Sequence, residues 1–149
     1  MAVDVLTEIV IAAAVERAAT YAADPSNASE WYGNIDAVEW DGPPLEVGST
    51  MGFVARFLGR RLEYTYRVVE LEPGRRLVMR TEQGPFPMET TYLWEPIGDE
   101  LTRMSLRNRG EPSGFSTVAS AVMAPAVRRA NRADLAALKR IVEGRPTLA

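Results

Sequence analysis

At 149 residues, 46% hydrophobic and 25% charged, the chain suits one globular domain over 1–149 and leaves little room for two. A net charge of -3 argues against nucleic acid, whose binders usually present a basic surface. With no cysteine and no histidine, disulfides, thiolate chemistry, and zinc sites or triads built on those residues are excluded.

Val3 to Ile11 is rich in Val and Ile and predicts a strand. Asp4 and Glu8 precede the apolar run Ile9 to Val15, with no basic residue before it, which is not the pattern of a signal peptide. That run ends at Glu16, too soon to span a bilayer, so a cytoplasmic location without stable membrane insertion is expected. Asn27-Ala28-Ser29 matches a glycosylation sequon, which carries no meaning without export. Ala14 to Ala23 has good helix formers, with Val15, Ala18, Ala19 and Ala22 at helical spacing. Asp24-Pro25 ends this helix and starts a second short one, with Asp24 as N-cap and Pro25 at the first helical position, running to about Tyr32.

Six strands are predicted next: Ile35–Trp40, Thr50–Leu58, Arg61–Leu71, Arg76–Glu82, Phe86–Trp94 and Glu100–Arg109. The breaks carry turn chemistry at Asp41-Gly42-Pro43-Pro44, Gly59-Arg60, Pro73-Gly74, Gly84-Pro85 and Pro96-Ile97-Gly98. Residues opposite each other in a hairpin share a face, so successive hairpins test one another. A Gly59-Arg60 turn sets Phe57 against Leu62, Ala55 against Tyr64, Phe53 against Tyr66 and Met51 against Val68. The next turns set Val68 against Met79 and Tyr66 against Thr81, then Met79 against Met88 and Leu77 against Thr90. The last sets Trp94 against Thr102, Tyr92 against Met104 and Thr90 against Leu106. One face is thus apolar or aromatic, while the other carries Arg56, Arg67, Arg80, Glu82, Glu89, Glu95, Arg103 and Arg107, with Glu89 opposite Arg107.

The apolar face needs a cover. Ser116 to Glu143 predicts a long helix, with Val118, Val122, Ala126, Ala130, Ala133 and Ala137 near one stripe and Leu135, Leu138 and Ile141 broadening it. Gly144 and Pro146 follow, and Pro125 predicts a kink or a junction of two helices. The expected class is α+β: a curved seven-stranded antiparallel sheet wrapped around a long C-terminal helix, with two short helices between the first and second strands.

Several local features together resemble the START-like SRPBCC superfamily with its helix-grip fold, in the polyketide cyclase/dehydrase and lipid-transport branch. They are the strand-to-helix opening Ile9 to Tyr21, Asp24-Pro25 with Trp31 beyond, and the Leu58-Gly59-Arg60 turn. The strand end Val68-Val69-Glu70-Leu71-Glu72-Pro73 and the helix end Leu138-Lys139-Arg140-Ile141-Val142-Glu143 complete them. The resemblance covers nearly the whole chain and includes no catalytic motif. It implies an apolar pocket between sheet and helix for lipids, sterols, polyketides or similar molecules, and in some members cyclisation or dehydration there.

The pocket-facing candidates are Phe53, Phe57, Tyr64, Tyr66, Met79, Met88, Thr90, Tyr92, Trp94, Met104 and Leu106 on the sheet, with Val118 and Val122 on the helix. They would equally serve as plain core. The Ala-rich helix fills little volume, and buried Tyr and Thr hydroxyls require partners, which favours a pocket. Tyr64, Tyr66, Tyr92 and Asn108 could orient a carbonyl or phenol, whereas Glu70 is the one carboxylate expected near the pocket side of the middle strands. Trp31 and Trp40 read as structural wedges or as pocket rim. Arg128, Arg129, Arg132, Lys139 and Arg140 read as a solvated face, with Arg129 or Asn131 candidates for the pocket mouth. Three functions stay open: binding of a small hydrophobic molecule, a cyclase/aromatase/dehydratase working by positioning and Tyr hydrogen bonds, and a protein-interaction domain without a working cavity. No cofactor and no metal are implied, and a homodimer stays open.

Overall fold

The computed structural model describes residues 3–57, 59–84, 87–111 and 117–144, with side chains throughout except those of 117–122. In chain order the elements are β1 (Val3–Ile11), α1 (Val15–Ala23), a 3-10 turn (Pro25–Asn27), α2 (Ala28–Trp31), β2 (Ile35–Trp40), β3 (Thr50–Phe57), β4 (Arg60–Glu72), β5 (Arg76–Gln83), β6 (Met88–Gly98), β7 (Leu101–Gly110) and α3 (Thr117–Gly144). The strands form one antiparallel sheet in the order β1-β7-β6-β5-β4-β3-β2. Its two edges are thus the first and second strands of the chain. The segment containing α1 and α2 crosses between them, and the sheet curls around α3 as a half-barrel in the helix-grip manner.

Local chemistry explains the pieces. In β1 Val3, Val5 and Thr7 are buried while Asp4, Leu6 and Glu8 are exposed, the period of a half-covered strand. Helix α1 turns Ala18, Ala19, Tyr21 and Ala22 inward. Asp24 accepts a 2.9 Å hydrogen bond from the Ser26 backbone N–H, and Pro25 opens the short helical turn that follows.

The hairpins keep the predicted faces, but three of the four registers move by two residues. Across β3 and β4, Phe57 pairs with Arg60, Ala55 with Leu62, Phe53 with Tyr64 and Met51 with Tyr66. The connection is therefore Leu58-Gly59, with Gly59 at φ 76°, a left-handed conformation that glycine adopts without steric cost; Leu58 itself lies outside the described residues. Across β4 and β5, Val68 faces Met79 and Tyr66 faces Thr81, as predicted. Met79 faces Thr90 and Leu77 faces Tyr92 across the next hairpin, whose connection includes Pro85 and Phe86 outside the described residues. Trp94 then faces Met104, Tyr92 faces Leu106 and Thr90 faces Asn108. A bulge between Val68 and Glu70 turns Glu70 outward onto Arg76 at 2.7 Å, so it does not approach the pocket side.

On the outer face, Arg67–Glu82 at 2.6 Å, Arg80–Glu89 at 2.7 Å and Arg107–Asp4 at 2.7 Å link neighbouring strands. Glu89 pairs across β7 with Arg109, two residues beyond the expected Arg107. Such exposed pairs contribute about 0–1 kcal/mol each and mark register more than they stabilise.

Helix α3 runs through Pro125 as one element, so the two-helix alternative does not hold. Among its described side chains the buried positions are Met123, Asn131, Asp134, Leu135, Leu138 and Val142, and Ala133 is exposed. The expected alanine stripe is displaced because turning Leu135, Leu138 and Val142 inward removes far more apolar surface from water. The helix end is pinned to the β1–α1 junction. Glu143 accepts from the Ala12 backbone N–H at 2.7 Å, Lys139 donates to the Val10 carbonyl at 2.9 Å, and the Arg17 guanidinium donates to the Val142 carbonyl. Lys139 is thus a structural tie, whereas Arg129, Arg132 and Arg140 are exposed.

Candidate functional site

The sheet and α3 close fully at one end and leave space at the other. At the closed end the pinned C-terminal turns of α3 bring Leu135, Leu138 and Val142 into the core with Ile11, Trp94 and Met104. At the other end a cavity of about 120 Å³ lies between the inner face of β3–β7 and the middle of α3.

The sheet wall is built from Phe53 and Phe57 on β3, Tyr64 and Tyr66 on β4, Met79 on β5, and Met88, Thr90 and Tyr92 on β6. All eight are sequence candidates. Trp94, Met104 and Leu106, also candidates, are not in this wall; they are 3%, 0% and 0% exposed and belong to the packed core. They share one buried cluster with Leu135, Leu138 and Val142 of α3. Val118 and Val122 lie in α3, and their side chains fall outside the described residues. Trp31 is buried core, stacked on Tyr32 with ring centroids 4.0 Å apart. Trp40 is half-buried and donates through Nε1 to Ser26 Oγ at 2.9 Å.

The helix side of the wall carries Met123, Val127 and Ala130, then two polar residues, Asn131 and Asp134, each 4% exposed. Tyr32, just after α2, completes it. Asn131 was a candidate for the pocket mouth and reaches the cavity; Arg129 does not. Asp134 and Tyr32 were missed. The signal for Asp134 was available in α3, where Asn131 and Asp134 share three- and four-residue spacing with Met123, Val127 and Leu138.

The polar groups fall into three sets. Thr90 donates to Asn108 Oδ1 at 2.7 Å, and with its one proton so used it accepts from the Tyr66 hydroxyl at 2.7 Å. The hydroxyls of Tyr32 and Tyr92 bond to each other at 2.5 Å. Asp134 accepts from the Gly33 backbone N–H at 2.9 Å, which ties α3 to the link between α2 and β2. The Asn131 side-chain amide Nδ2 is buried without a partner among the described residues.

Burial sets the protonation states. It pushes Tyr66 up to about 12 and raises Tyr32, Tyr64 and Tyr92 as well, so all four stay protonated donors. Burial also lifts the Asp134 carboxyl from 3.8 to about 6, the Gly33 hydrogen bond only partly opposing it. Among the described residues no three carboxylates converge as metal ligands. No described helix is long and apolar enough to cross a membrane.

A curled antiparallel sheet gripping one helix over an apolar cavity defines a START-like domain of the SRPBCC superfamily. The chain belongs to the polyketide cyclase/dehydrase and lipid transport family, whose model matches residues 2–143. Among solved structures, the Zhui aromatase/cyclase from Streptomyces sp. R1128 is similar with TM-score 0.81 and 18% identity, over 96% of this chain and 94% of that one. A START superfamily protein from Mycobacterium smegmatis is similar with TM-score 0.70 and 16% identity, over 95% and 94%. The di-domain aromatase/cyclase StfQ of the steffimycin pathway matches 97% of this chain over 52% of its own, with TM-score 0.77 and 16% identity. At these identities the likeness is one of fold. No curated protein matches the chain by sequence.

Proposed function

We infer that this domain binds a small, largely apolar molecule, aromatic or lipid-like, in the cavity between the sheet and α3. The observation that carries this is the buried Asn131 amide, unpartnered in the wall of an otherwise mostly apolar cavity of about 120 Å³. An unsatisfied buried donor costs about 1–3 kcal/mol, which a ligand acceptor or a water would offset. The volume is of the order of the ~150 Å³ engineered cavity that takes up benzene in another protein, so one ring fits and a longer chain would need the mouth or the helix to give way. Membership of a family described by cyclases and lipid transport, and likeness to aromatase/cyclases, support the reading. Thermal unfolding with a panel of small aromatics and lipids tests it. A ligand at a hundred times its Kd adds about 2.7 kcal/mol and should raise the midpoint by about 5 °C or more. A flat panel counts against the cavity as a binding site.

Asp134 favours a second reading, an enzyme of the cyclase or dehydratase kind. A carboxyl near 6 suits proton transfer at neutral pH, and protonated Tyr hydroxyls can donate to a developing enolate oxygen. The test is turnover of a short poly-β-ketone by the native protein and by the Asp134→Asn, Tyr64→Phe, Tyr66→Phe and Tyr92→Phe variants. Turnover that none of the four substitutions changes removes this mechanism.

A further inference from the structure

We propose that Asn131 and Asp134 form a head-group subsite that accepts a ring bearing a neutral donor–acceptor group, such as an amide or a hydroxyl, and rejects a carboxylate. This rests on the reading of the cavity as a ligand site and adds the class of ligand.

The two residues are three apart on α3, so their side chains lie on the same helix face, and both line the cavity. Asn131 Nδ2 is a donor with no acceptor among the described residues. Asp134 uses Oδ1 for the Gly33 backbone N–H, and Oδ2 accepts no hydrogen bond among the described residues. A spare donor and a spare acceptor therefore line one mostly apolar chamber from the same face of α3. An amide or hydroxyl satisfies both: its N–H or O–H gives to Asp134, and its oxygen takes from Asn131.

The charge balance explains the rejection. The titratable groups that feel Asp134 are Tyr32 beside Gly33, Tyr64 on β4 and Tyr92 on β6, with Tyr66 on the same cavity wall, all kept neutral by burial. Among the described residues lining the cavity, the one cation is Arg109, and its guanidinium reaches Glu89 on the outer face at 3.8 Å with its side chain 55% exposed. Nothing on the wall thus neutralises Asp134. Burial moves its carboxyl to about 6, so at neutral pH it is ionised and a second carboxylate in the chamber meets an unscreened like charge.

The experiment is calorimetric titration of toluene, benzamide and benzoate into the native protein and the Asp134→Asn variant at about pH 8. Benzamide and benzoate share a shape and differ in charge, and toluene reports whether the chamber admits a ring. The native protein should bind toluene and should prefer benzamide to benzoate by about tenfold or more. Asp134→Asn keeps an oxygen for the Gly33 N–H, and should bring benzoate within about threefold of benzamide. Repeating the native titration at about pH 5, where Asp134 is mostly protonated, should narrow the preference. Toluene binding with equal affinity for benzamide and benzoate overturns the subsite and leaves the cavity standing. Failure of all three ligands, with an intact circular dichroism spectrum, overturns both.

Discussion

Replacing Asp134 by Asn should make the unliganded protein more stable at neutral pH and leave it unchanged in acid. The folded chain holds this carboxyl at about 6 against 3.8 in water, because burial penalises its charge. The folded state therefore binds its proton more tightly than the unfolded state. The group's contribution is greatest below about 3.8, declines as pH rises toward 6, and is lowest above that. At 1.36 kcal/mol per pKa unit, the full swing is about 3 kcal/mol. Asn keeps an acceptor for the Gly33 N–H and carries no charge, so the variant should gain up to about 3 kcal/mol at about pH 7.5 and nothing at about pH 3.5. Urea unfolding across that range is the assay. With a slope of about 1–3 kcal/mol/M, the midpoint should move up by about 1 M or more at the alkaline end. The difference between the two proteins is the quantity to read, because other carboxyls impose the opposite trend. Asp4 is held below its ordinary value by hydrogen bonding from Arg107, and Glu143 by the Ala12 backbone N–H, so both lose stability as pH falls. A variant less stable at about pH 7.5, or a difference that does not change with pH, refutes the reasoning.

Two further substitutions separate core from cavity. Leu106→Ala removes a side chain with no exposure and no place in the cavity wall. It should cost about 2–5 kcal/mol in urea unfolding while leaving the preference for benzamide over benzoate intact. Gly84→Ala brings a Cβ to 2.9 Å from Tyr64 Cβ, a contact that neither backbone can accept without shifting. It should destabilise by about 1–3 kcal/mol, read as a lower thermal midpoint, and weaken toluene binding by displacing Tyr64 in the wall.

The faces of the strands were legible in the sequence, and the registers were less so, for a physical reason. Side chains alternate with period two, so a two-residue slip moves Phe53 from Tyr66 to Tyr64 without exchanging an inward residue for an outward one. Only the turn fixes that choice, and a turn at Leu58-Gly59 leaves the same apolar pattern as one at Gly59-Arg60. Glu70 went astray because a bulge inserts one residue and reverses the alternation beyond it, which no pattern of apolar residues announces. In α3 the small alanines suggested the cavity roof, but burial of Leu135, Leu138 and Val142 sets the rotation of the helix. That rotation carries Asn131 and Asp134 inward. Asn131 read from sequence as a candidate for the pocket mouth and Asp134 was not singled out; the three- and four-residue spacing that places both beside Met123 and Leu138 was the informative signal.

The central claim is that the chamber holds a small apolar molecule, and mass spectrometry of the purified protein, native and then denatured, tests it most directly. A compound of defined mass that is bound under native conditions and released on unfolding, apolar and without a carboxylate, is the predicted result. An apo spectrum, together with no stabilisation by small aromatics or lipids, would contradict the claim and point to a packed domain that meets a protein partner.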